Sequence, residues 1–255
     1  MKTPNPQIAI VLISVVSTLL SPATTSFAAE HGDKGVSDVS QPTVHVEVVE
    51  SPSFEDQNWP IIKVETYTQK DPFTGQDVTV TTVIRRGPPE TSKVTSKIAC
   101  EANETDQVTA ASATCVYRAP ETVQRSVTVG GVTGYAKNYA DNYCSGPDCS
   151  FYKMTKLEIW WTRIGTGWVV RTAYTRWGCN GACSLCPDLA PYTYYYQNGP
   201  FTPAWNGLTS VTYRYTSSGW PVMKTTALGV VTGGNDSTVE SPSHQTQPLS
   251  VYANF

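Results

Sequence analysis

LEIWWTRIGTGWVVRTAYTRWGCNGACSLC, residues Leu157–Cys186, holds two aromatic runs on either side of Gly165-Thr166-Gly167 and ends in three closely spaced cysteines. Large apolar residues alternate with charged or small ones on both sides of a glycine turn. That pattern predicts paired antiparallel strands, a long hairpin with cysteines at one end. Alternation puts the adjacent Trp160 and Trp161 on opposite faces. Leu157 and Ile159 share the face of Trp161, which is expected to be core. Lys156, Glu158 and Thr162 share the face of Trp160, which is expected to be partly exposed. Taking Gly165-Thr166-Gly167 as the loop sets Trp160 opposite Thr172, and Thr166-Gly167 alone sets it opposite Ala173; neither small partner covers an indole.

Similar patterns recur outward from this stretch. Val44, Val46 and Val48 alternate with His45 and Glu47 in the period of a half-buried strand. Ile61–Thr68 and Val78–Arg85 flank Asp71-Pro72-Phe73-Thr74-Gly75, a turn sequence that predicts a hairpin. Val123–Val129 precedes Gly130-Gly131 and Val132, another two-residue hairpin turn. Tyr135, Tyr139 and Tyr143 fit one helix face or one strand face, and the intervening Asn138, Asp141 and Asn142 favour strand and loop. Thr209–Thr216 and Trp220–Val231 flank Ser217-Ser218-Gly219 as a further predicted hairpin. Residues 187–203, with four prolines, read as a loop with one edge strand. No internal repeat, heptad or amphipathic helix is present. The expected fold is all-β, an antiparallel sandwich or open barrel of short strands, disulfide-stapled and with flexible polar termini.

The N-terminus has a lone Lys2, an apolar run Ile8–Leu20 and then Ser26-Phe27-Ala28, the layout of a secretory signal peptide over 1–28 with cleavage after Ala28. The run is shorter than the roughly 20 residues needed to cross a bilayer, so no permanent membrane anchor is expected. Residues 29–42 read as a disordered acidic segment. A proline-rich break at Gly87–Ser92 divides an N-terminal β unit, 43–86, from a main β domain with a cysteine-rich loop, 93–232. Residues 233–255 are expected to form a flexible tail whose last apolar residues dock as a strand at most. Net charge is −3 and no basic cluster occurs, which speaks against nucleic acid.

An exported chain with Cys100, Cys115, Cys144, Cys149, Cys179, Cys183 and Cys186 points to disulfides. The C-x4-C and C-x3-C-x2-C spacings also invite a zinc reading, which export disfavours, so no metal and no cofactor is expected. Cys100 is expected to bond Cys115. Cys144 and Cys149 either close a small loop or reach the 179–186 cluster. Seven sulfurs leave one free or bonded to another molecule. Asn103-Glu104-Thr105 and Asn235-Asp236-Ser237 match the N-glycosylation acceptor pattern.

No motif names a reaction. Three histidines, His31, His45 and His244, offer poor support for an imidazole-based site, and His45 reads as a surface residue of a strand. Glycoside hydrolysis needs only two carboxylates at a fixed separation, and Glu158, Asp141, Asp148 and Asp188 are candidates; Glu158 otherwise reads as solvent-facing among cross-strand cations. Aromatic residues crowd 160–220, where flat exposed rings bind sugars and buried ones make core. The ligand-binding candidates are Trp160, Glu158, Tyr174, Tyr194 and Tyr196. The leading expectation is a secreted, non-catalytic binding or surface protein that recognises carbohydrate or cell-envelope material. The alternatives are a carboxylate-dependent glycan hydrolase and an inhibitor or toxin acting through the cysteine-rich loop.

Overall fold

A computed structural model describes residues 42–70, 77–94, 97–100, 113–181, 192–225 and 229–255, with the backbone alone at 97–100, 113, 179–181, 192–195, 229 and 230. The expected signal peptide, the acidic segment up to residue 41, Asn103, Cys183, Cys186 and Asp188 lie outside the described residues. The described residues form strands and no helix, and every pairing is antiparallel.

From edge to edge the larger sheet runs β1 (Val44–Val49), β10 (Ser210–Ser217), β7 (Asp148–Arg163), β6 (Val132–Ser145), β5 (Ala113–Val129), β3 (Asp77–Arg86) and β2 (Ile61–Lys70). Short β4 (Lys97–Cys100) joins β5, and β11 (Met223–Lys224) joins β7. The smaller sheet runs β13 (Thr246–Asn254), β12 (Gly229–Glu240), β8 (Val169–Gly181) and β9 (Tyr192–Phe201). Strands β12 and β13 lie against β5, β6 and β7, so of the two expected architectures the chain adopts the sandwich. Leu157, Ile159 and Trp161 of β7 and Trp177 of β8 meet Val231, Val239, Leu249 and Val251 in one core.

Two predicted hairpins form. Strands β2 and β3 pair from Lys70–Asp77 to Ile61–Arg85, and β5 and β6 close on a turn where Gly130 takes φ 56°, a conformation that glycine adopts without a Cβ clash. The strand reading of Tyr135, Tyr139 and Tyr143 holds, and β9 is an edge strand as expected.

The hairpin predicted for Leu157–Cys186 does not form. Strand β7 pairs with β6 and β10, β8 pairs with β12 and β9, and residues 164–168 cross from one sheet to the other. Arg163 pins this crossing: Nη1 donates to the carbonyls of Thr166 (3.3 Å) and Trp168 (3.0 Å), Nε and Nη2 donate to Leu208 O (3.1 and 2.8 Å), and the guanidinium lies 4.3 Å from the Trp205 ring. Trp160 therefore stands opposite Tyr135 and Thr212, not Thr172 or Ala173. The hairpin predicted around Ser217-Ser218-Gly219 is likewise replaced: β10 pairs with β1 and β7, whereas β12 belongs to the other sheet. In both cases each strand presents two hydrogen-bonding edges, and a local turn signal says nothing about which distant strands will fill them.

Residues 233–255 are not a flexible tail. They complete β12 and supply β13, with Leu249, Val251 and Ala253 buried. Gly, Asn, Asp and Ser make β12 look like loop in sequence, but two neighbouring strands satisfy its backbone on both sides. The division at 87–92 into two units is not observed either, because β3 hydrogen-bonds to β5 and β1 to β10 within one sheet.

Candidate functional site

Strands β1 and β2 are the two ends of the larger sheet, yet only residues 50–60 connect them. Six strand spacings of about 4.8 Å make roughly 29 Å, within reach of an 11-residue segment even though it turns at Phe54–Trp59, where Gln57 N donates to Phe54 O (3.1 Å) and Trp59 N to Asp56 O (3.0 Å). It runs as a strap over the outer face. Ser53 N donates to both Glu158 carboxylate oxygens on β7 (3.0 and 2.9 Å). Asp56, buried, pairs closely with Lys137 on β6 and accepts from Thr122 Oγ1 on β5 (2.8 Å). Arg85 Nη1 on β3 donates to the carbonyls of Gln57 (3.3 Å) and Trp59 (3.1 Å).

The strap explains why both faces of β7 are covered. Glu158 is 0% exposed; its carboxylate also accepts from Tyr139 Oη (2.9 Å) and Arg214 Nε (2.8 Å), and Arg214 Nη1 reaches Glu47 (3.0 Å). Burial, and then the Glu158 charge, push the Tyr139 phenol far above its ordinary value. Burial disfavours the Arg214 charge, but the bonds to Glu158 and Glu47 outweigh that and raise its pKa. Trp160 is only 7% exposed, with its ring stacked on Tyr135 at 4.7 Å. The solvent-facing reading of Glu158 and the exposed reading of Trp160 are thus corrected. Trp161 is core as predicted, 0% exposed, with Nε1 donating to Ser237 Oγ (3.1 Å).

The remaining candidates do not converge. Tyr196 lies opposite Trp177 and packs inward against Tyr215 (6.1 Å), and burial pushes its phenol up to about 12. Tyr174 is half-buried on the other face of β8, between buried Ala173 and Thr175. Tyr194 lies in β9, its side chain not described. Asp148 is held by Lys224 (2.8 Å). His45 is exposed on β1. Cys144 bonds Cys149, closing the small loop. Cys115 is buried and disulfide-bonded, its partner sulfur falling outside the described side chains. Cys179 lies in β8 opposite Val231. Asn235, matching a glycosylation pattern, is 0% exposed and its Oδ1 accepts from Ser237 (2.5 Å), so no glycan reaches it in the folded chain. Among the described residues no cluster of three His, Cys, Asp or Glu side chains is placed to hold a metal.

A pocket of about 370 Å³ opens beside the strap. The strap contributes Glu55 and Trp59, the turn after β3 contributes Glu90 and Lys93, and the floor is Pro120 and Glu121 of β5, Tyr139, Ala140 and Asp141 of β6, and Thr155 of β7. Each carboxylate has a cation: Glu55 takes Lys156 (2.7 Å), Glu121 takes Arg86 (2.7 Å), and Glu90 and Asp141 share Lys93 (3.1 Å each). Burial alone would lower the Lys93 pKa, but hydrogen bonds to Asp141 and Glu90 outweigh it and raise it. Trp59, half-buried, lies over Gly87, where an added Cβ would come within 2.6 Å of the indole. Of these residues only Asp141 stands among the functional candidates of the sequence, where Tyr139 reads as a strand residue. A lone tryptophan before Pro60, far from the aromatic cluster, and the Gly87-Pro88-Pro89 break on which it rests were the available signals.

Comparison with protein-family models, curated proteins and solved structures finds no match to the chain.

Proposed function

We propose that this is a non-catalytic binding protein of the cell exterior that takes carbohydrate in the pocket beside the strap. The pocket itself carries the reading: a half-buried tryptophan lines a pocket with four carboxylates, one ammonium and two hydroxyl side chains. Sugar C–H faces pack on an indole, and sugar hydroxyls donate to carboxylates and accept from an ammonium, so such a lining fits a polyhydroxylated ligand. Four carboxylates against Lys93 in the lining favour neutral or amino sugars over acidic ones. Engagement of every pocket carboxylate by a cation favours binding over hydrolysis, which needs one carboxyl able to give up a proton and another free to attack or activate water. The signal-peptide-like N-terminus and the Cys144–Cys149 bond support export.

A glycan array run beside an assay for released reducing ends tests this. Binding without release is expected, with Trp59→Ala weakening it about tenfold through loss of the ring contact. Gly87→Ala should weaken it as well by displacing Trp59. Release of reducing ends, or binding that Trp59→Ala leaves unchanged, would overturn the reading.

A further inference from the structure

We propose that β2 is a dimerisation edge, pairing antiparallel with β2 of a second copy about a two-fold axis at Val64. Among the described residues, strand β2 ends the larger sheet and hydrogen-bonds on one side only, to β3. All ten of its residues are exposed, and Ile62, Val64 and Tyr67 are 45%, 56% and 38% exposed. The edge strand β1, at the opposite end of the same sheet, keeps Val44 and Val46 packed against the core, and edge strand β13 buries Leu249, Val251 and Ala253. An open strand with apolar side chains on both faces is a template for another strand.

The charges name the partner. Natural edge strands are commonly protected by a lysine that repels or cannot pair with an incoming strand. Here Lys63 and Glu65 lie two residues apart on one face, 2.8 Å from each other. Turning β2 about Val64 sets Lys63 opposite Glu65 of the second copy and Glu65 opposite its Lys63, a square of four charges alternating in sign. On the other face the same turn sets Val64 against Val64, a pair suited to a pleated surface, and the register irregularity at Ile62 lies beyond it toward the start of the strand. The neighbouring registers that keep the faces matched put Lys63 against Lys63 or Glu65 against Glu65, and like charges directly opposite are unfavourable. The strand is therefore complementary to itself in one register. Pro60, without an N–H, ends the ladder at the near side. A two-fold contact of this kind closes, giving a dimer with the two larger sheets joined and no filament.

Sedimentation equilibrium of the full chain from about 1 μM to about 1 mM, the range of weak specific association, tests the proposal. The wild type is expected to form a reversible dimer. Lys63→Glu and Glu65→Lys, each turning two attractive cross-copy pairs into repulsive ones, should each weaken it about tenfold or more. Mixing the two variants restores opposite signs across the axis, so a heterodimer at least as tight as the wild-type dimer is expected, as is recovery in the double variant Lys63→Glu/Glu65→Lys. Near-ultraviolet circular dichroism confirms that each exposed-strand variant remains folded. A wild type that stays monomeric, open-ended growth through pairing of β2 with β1, or single variants that associate as well as the wild type would overturn it.

Discussion

Removing the buried Glu158 carboxylate leaves the partly exposed Arg214 guanidinium, the buried Tyr139 hydroxyl and the Ser53 N–H without their shared acceptor. Breaking a buried ion pair from one side costs about 3 to 5 kcal/mol, so Glu158→Ala is expected to lose that much in denaturant unfolding, and Glu158→Gln, which keeps one acceptor, about 1 to 3 kcal/mol. The same reasoning changes the comparison of the paired tryptophans. Trp161→Ala should cost about 3 to 5 kcal/mol as a core truncation, and Trp160→Ala about 3 kcal/mol because its ring is stacked on Tyr135 and covered. A Trp160→Ala protein within about 1 kcal/mol of the wild type would show that the outer face is wet. Period-two alternation correctly separated the faces of Trp160 and Trp161. It was silent about a cover drawn from residues 50–60, about 105 positions away from Glu158 at the Ser53 contact.

At the scale of elements, strand existence was far more legible than strand partnership. Turn chemistry alone specifies the two hairpins that formed, since Gly130-Gly131 joins strands already in register. The crossing at 164–168 contains equally good turn residues, but Arg163, Leu208 and Trp168 divert it to the other sheet. Strand β13 offers the sharpest test. Because it covers β12 and buries Leu249, Val251 and Ala253 against β5 and β6, deletion of residues 246–255 should abolish cooperative unfolding. A truncated protein with the wild-type melting temperature would restore the flexible-tail reading.

For the whole molecule, acid stability follows from two carboxyls held low. Hydrogen bonds from Arg171 first and His244 next bring Glu240 from 4.5 to about 2, and Lys224 first with Ser150 brings Asp148 from 3.8 to about 2. A carboxyl depressed in the folded state contributes stability that is present above its unfolded pKa and lost as pH falls through its folded one. The melting temperature should therefore be level above about pH 5 and decline between about pH 4.5 and 2, with Glu240→Gln removing part of that decline. A melting temperature that stays constant down to about pH 2 would contradict this.

The sequence by itself determined the all-β class, most strand positions, two hairpins and the inward face of β7, because these depend on side-chain period and turn conformation within a few residues. Only the tertiary structure decided which strands share an edge, that residues 233–255 belong to the second sheet, and that a strap from one sheet end to the other buries Glu158 and shapes the pocket around Trp59. Backbone edges are chemically alike in every strand, so their partners are chosen by long-range packing and charge pairing, which no local pattern records.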